Sequence, residues 1–115
     1  MDTRIMMLYH TGIIDKSTKD YLIYVINQLE KKGFDKESDN MARMITHFAM
    51  AISRQQQGKI IDEMDSFLFE DIKNNENYEQ AKNLWDEMNL KLPIGFNENE
   101  VRFMVLHLSI LIGNK

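Results

Sequence analysis

Five glycines and one proline cut this chain into segments whose apolar residues recur every three or four positions, and that pattern restricts it to packed helices. Gly12, Gly33, Gly58, Gly95 and Gly113 all fall between periodic segments, and Pro93 lies near Gly95. The spacing predicts five helices. In the first, Ser17 followed by Asp20 reads as a capping-box-like start; Tyr21, Leu22, Val25, Ile26 and Leu29 form its apolar face before Gly33 stops it. A second begins near Ser38 or Asp39, carries Met41, Met44, Ile45, Phe48 and Ile52 on one stripe, and ends before Gly58. A third places Ile61, Met64, Phe67, Leu68 and Ile72 at helical spacing. The fourth, with Asn77 and Gln80 as its cap, buries Tyr78, Ala81, Leu84, Trp85 and Met88 and runs to Lys91, short of Pro93. In the last, Asn97 and Glu100 form a cap pair ahead of Val101, Met104, Val105, Leu108 and Ile112. Phe103, Leu106 and Ile110 make that helix apolar nearly all round, which predicts it as the most deeply buried.

No segment alternates like a strand, so the expected fold is all-α, a five-helix bundle of antiparallel neighbours in a single domain over 1–115. With 43% hydrophobic residues there is enough apolar surface to offset chain entropy. The absence of cysteine excludes disulfides and thiolate metal sites, and no short ligand spacing among the three histidines points to zinc. A net charge of −4 with scattered Lys and Arg argues against direct nucleic-acid binding. The apolar run Ile5 to Tyr9 is too short for a signal-peptide core, and no stretch is long enough to span a membrane; the expectation is a cytoplasmic protein. No phosphate loop, nucleophile elbow or zinc-protease motif is present, and no nucleophile–base pair is visible. The expectation is therefore a non-enzyme without a cofactor.

The sharpest feature is a repeated phrase, Met44-Ile45-Thr46-His47-Phe48 in the second helix and Met104-Val105-Leu106-His107-Leu108 in the last. Each histidine stands six residues after the first residue of its stripe, roughly 120° away at about 100° per residue, and so beside the buried face. Arg43, four residues before His47, and Arg54, seven after it, fall on the same flank of the helix. Two cations there would favour the neutral, nucleophilic imidazole and would attract a phosphoryl group placed on it. The same spacing also fits an ordinary boundary histidine with Arg43 and Arg54 solvated or paired to acids of neighbouring helices. His107, from its own helix alone, reads as a buried, hydrogen-bonded core histidine, and His10 has no partner pattern.

The run Ile45-Thr46-His47-Phe48-Ala49-Met50-Ala51-Ile52-Ser53-Arg54 resembles the first histidine helix of the phosphotransferase-system regulation domain (PRD), a module of bacterial transcription antiterminators and sugar-operon activators. Leu92-Pro93 and the stretch Asn97 to Leu108, with its acid, Phe103 and Leu106-His107, resemble the second, and Tyr78 with Ala81 match the connecting helix. The resemblance covers about 13–113. It implies a five-helix bundle whose histidine helices pack together and often support a homodimer. It also implies His47 and His107 as phosphoacceptors and Arg54 as a phosphate or structural partner. The donor would be the histidine phosphocarrier protein or a sugar-specific transporter component. Three departures stand out. Thr46 occupies a position where the family often has an acid that would orient the ring. Ile94-Gly95-Phe96 lengthens the link to the last helix. No output module accompanies the domain, so the expectation is action through another protein, either as a phosphorylation-switched regulator of carbohydrate use or as a non-phosphorylated dimerisation or scaffold domain.

Overall fold

The computed structural model describes residues 2–59 and 63–114 and holds six helices. They are α1 (Asp2–His10), α2 (Lys16–Lys31), α3 (Asp39–Gln56), α4 (Ser66–Lys73), α5 (Tyr78–Asn89) and α6 (Glu98–Gly113). There is no strand among the described residues, as the periodicity predicts. None of these helices is long and apolar enough to cross a membrane. The expected count of five is one short. The added helix is α1, which buries a single residue, Ile5, and so carries no stripe for a sequence reading to find. It is held by packing on α2.

Most boundaries follow from local chemistry. Ser38 caps α3, its hydroxyl accepting from the Met41 amide at 3.1 Å. At the end of α2, Gly33 takes φ +93°. Its amide donates to the Glu30 carbonyl and the Phe34 amide to the Leu29 carbonyl, while Phe34 and Leu29 are both buried. That is the Schellman closure, and only glycine takes the left-handed turn without strain.

Five expected helix ends are corrected. The cap of α2 is Asp15, not Ser17: its carboxylate accepts from the Thr18 amide at 2.8 Å, which places Ser17 inside the first turn. Asp15 outcompetes Ser17 because a charged acceptor suits the helix dipole. Asn77 precedes α5 but its side chain makes no cap bond. α5 stops at Asn89, before Lys91, and α6 runs through Gly113. α4 starts only after Asp65, whose carboxylate accepts from the Phe67 and Leu68 amides. Of its expected stripe, Met64 is buried ahead of the helix, Ile72 is buried on it, Phe67 is 81% exposed, and Ile61 lies outside the described residues.

The core is centred on α3, which packs against α2 on one side and α6 on the other. Met41, Met44, Ile45, Phe48, Ala49, Ala51 and Ile52 of α3 are fully covered. α6 was expected to be the deepest helix; it packs on α3, α4 and α5 yet leaves Ile110 exposed and Phe103 and Leu106 half-buried. Apolar residues on every face do not guarantee that every face finds a neighbour.

Phe48 meets three aromatic rings, Tyr21, Trp85 and Phe96, at centroid distances of 5.4, 5.9 and 5.7 Å. Phe96 comes from the long link before α6, so the extra residues lay a half-buried aromatic ring against the core. Tyr21 also donates through its hydroxyl to the Met88 carbonyl at 2.6 Å, tying α2 to the end of α5 inside the core. Burial pushes that phenol well above its ordinary range. Tyr21→Phe leaves this carbonyl without its partner and should lower stability by about 1–2 kcal/mol, read from urea unfolding.

Candidate functional site

The two histidines that share a phrase in the sequence meet in space. His47 on α3 and His107 on α6 face each other across the seam between these helices, ring centroids 4.5 Å apart and planes at 36°. Phe103, one turn before His107, lies 6.0 Å from the His47 ring. The same seam holds a buried ion pair. Arg54 donates from Nε to Glu100 Oε1 at 2.8 Å and from Nη2 to Oε2 at 3.2 Å, a bidentate fork on a carboxylate that is fully buried. Arg54 stands seven residues after His47, and Glu100 seven before His107. The pairings His47 with His107 and Arg54 with Glu100 therefore run in opposite chain order, which makes α3 and α6 antiparallel.

Local structure sets this geometry. α3 ends just beyond Arg54, where Gly58 at φ +69° lets the Lys59 amide reach the Arg54 carbonyl at 2.9 Å. α6 begins after its cap Asn97, whose side chain accepts from the Glu100 amide at 2.9 Å. Only that half of the expected cap pair forms, because the Glu100 carboxylate turns inward to Arg54.

His47 Nε2 is buried, makes no hydrogen bond, and lies 3.9 Å from Glu100 Oε2. Burial holds the His47 pKa below its ordinary value; the Glu100 carboxylate opposes that effect and the Arg54 guanidinium adds to it. Burial, with His47 beside it, pushes His107 down to about 4. Both rings are neutral at pH 7, the state in which an imidazole nitrogen is nucleophilic.

The expected pair of cations is reduced to one. Arg54 is in the site, but Arg43 is exposed and donates to Asn40 at 3.3 Å. Helical side chains lean toward the N-terminus. A residue after His47 therefore reaches back to it, and a residue before it leans away. The expected cause of the lowered His47 pKa is corrected likewise: burial leads, and Arg43 takes no part. The sequence reading missed Glu100 as a site residue because its spacing from Asn97 fits a helix cap. It also missed Arg4, which arrives on the unforeseen α1 and donates to Thr46, the neighbour of His47, at 3.3 Å. His10 ends α1, exposed and tilted against Tyr9.

The histidines give the protein a pH dependence with a defined sign. An unfolded histidine takes up its proton near 6.5, whereas folded His107 resists until about 4. The unfolded state binds more protons between those values, so stability falls as pH drops from about 6.5 to about 4. His107→Gln should flatten that part of the stability curve, measured by urea midpoints at several pH values.

A model of the PRD domain family matches residues 20–110, a span that includes both histidines, Arg54 and Glu100. The chain is also similar to the uncharacterized protein YhfY of Escherichia coli (strain K12), 24% identical over 109 residues that cover 94% of this chain and 91% of that protein. No solved structure matches it significantly. The family model covers most of the chain, which therefore belongs to the PRD domain family, the phosphotransferase-system regulation domains.

Proposed function

We propose that this domain accepts a phosphoryl group on His47 or His107 and uses it to change its association with another protein in the regulation of carbohydrate use. One observation carries the reading: two neutral imidazoles facing each other with centroids 4.5 Å apart and an arginine fork in the same seam. The donor is the histidine phosphocarrier protein or a sugar-specific transporter component. Transfer keeps its balance simply. A nitrogen lone pair of the acceptor ring forms the new P–N bond, the donor ring takes back the old bonding pair, and it also takes the proton the acceptor ring gives up. The product carries about two added negative charges at pH 7. The domain thus acts as an acceptor and switch, without a cofactor and without turnover of its own.

Incubation with phosphoenolpyruvate, enzyme I and the phosphocarrier protein should yield an acid-labile phosphorylated chain. Its oligomeric state, by light scattering, should differ from that of the unmodified chain. A chain that takes no phosphate in the presence of a working donor would sink the proposal.

A second reading has its own support. Thr46 replaces the usual acid, the Arg54 fork is already filled by Glu100, and His47 Nε2 is covered. These features suit a dimerisation or scaffold domain that has lost phosphoacceptance. Unchanged partner binding in a His47→Ala/His107→Ala protein would favour it.

A further inference from the structure

The geometry points to Glu100 as a built-in stand-in for the phosphoryl group. Its carboxylate fills the berth between His47 Nε2 and Arg54, and phosphorylation of His47 drives it out. The inference rests on the reading that the seam histidines are phosphorylated and adds how the site is regulated.

Three facts converge on this berth. The Glu100 side chain is completely buried, although it sits in the first turn of α6, where a glutamate normally faces solvent. Both of its oxygens are engaged by one guanidinium, the bidentate geometry by which arginine also holds phosphate. An imidazole nitrogen 3.9 Å from it, His47 Nε2, is buried without a hydrogen bond. That gap has no room for a tetrahedral phosphoryl group while the carboxylate stays.

A phosphoryl group on this nitrogen would bring about two negative charges against a buried carboxylate with one cation between them. Arg54 binds the more highly charged of the two anions. Glu100 is then left without a partner in a dry seam, and an unpaired buried charge is not tolerated. The carboxylate must swing out to water, and it takes the first turn of α6 with it. Since α6 packs on α3, α4 and α5, the release is felt at the centre of the fold. The unmodified domain is thus latched shut by its own glutamate.

Potassium phosphoramidate tests the latch without any carrier protein. The ring nitrogen attacks phosphorus, the P–N bond of the reagent breaks, and ammonia leaves with the proton released by the ring as ammonium. In the full chain modified at His47, amides of residues 101–105 should exchange hydrogen at least about tenfold faster than in unmodified protein. In Glu100→Gln, which has no charge to strand, the same modification should leave exchange within about twofold. Arg54→Gln should exchange fast before modification and gain little from it. Modified wild-type protein whose α6 amides exchange at the unmodified rate would overturn the latch, as would a folded chain in which phosphoramidate modifies only His107 or neither ring. Both outcomes are read on wild-type protein, so a poorly folding variant does not shield the inference. Failure of the carrier assay together with faster exchange after phosphoramidate would remove the proposed donor and leave the latch standing.

Discussion

Replacing Arg54 by alanine should lower the unfolding free energy by about 3 kcal/mol, several times what a surface ion pair contributes. The size follows from Glu100. Its carboxylate is fully buried and both oxygens depend on the Arg54 fork, so the substitution leaves an uncompensated charge inside the α3–α6 seam. Arg54 is itself a quarter exposed, which puts the expected loss at the lower end of the range for buried pairs. Arg54→Met combined with Glu100→Leu removes both charges and fills the space, and should recover most of the loss. A double-mutant cycle by urea unfolding checks this. A cost below about 1 kcal/mol for Arg54→Ala would mean that water reaches the carboxylate.

The second large effect lies in the aromatic cluster. Phe48→Ala should cost about 4 kcal/mol, because the ring is fully covered and its removal takes contacts from Tyr21, Trp85 and Phe96 together. A loss of that size is a large share of a typical total stability of about 5–15 kcal/mol. Phe48→Leu keeps most of the volume and should cost clearly less. Thermal unfolding followed by circular dichroism separates the two variants. The site would suffer too: Phe48 is the neighbour of His47, and the packing that fixes α3 also fixes the direction of the imidazole.

What the sequence discloses here follows from the range of each interaction. The faces of α2, α3 and α5 were legible because burial on one side of a helix imprints a period of three to four residues. α1 buries only Ile5 and leaves no such imprint. α4 shows the opposite failure. Met64 continues the apolar spacing upstream of Ser66, yet Asp65 captures the first free amides and the helix begins there.

The site divides along the same line. His47 and Arg54 share one helix, and a spacing of seven residues was enough to place them on one flank. Arg43 obeyed the same spacing rule, and only the N-terminal lean of helical side chains separates it from the ring. Glu100 could not be assigned from α6 alone. Its meaning depends on α3 running antiparallel beside it, a contact between residues 46 positions apart. His107 gains most from the structure: on its own helix it reads as a core residue, and the partner helix supplies the second imidazole.

Where the phosphoryl group lands tests the central claim most directly. The chain is incubated with phosphoenolpyruvate, enzyme I and the phosphocarrier protein, kept at alkaline pH to preserve phosphohistidine, and mapped by tandem mass spectrometry. His10, exposed at the end of α1, serves as the internal control. The phosphoryl group is expected on His47 or His107 and absent from His10. A phosphoryl group found only on His10, or none on a folded chain beside a donor that phosphorylates its own known target, would contradict the assignment of the α3–α6 seam as the phosphoacceptor site.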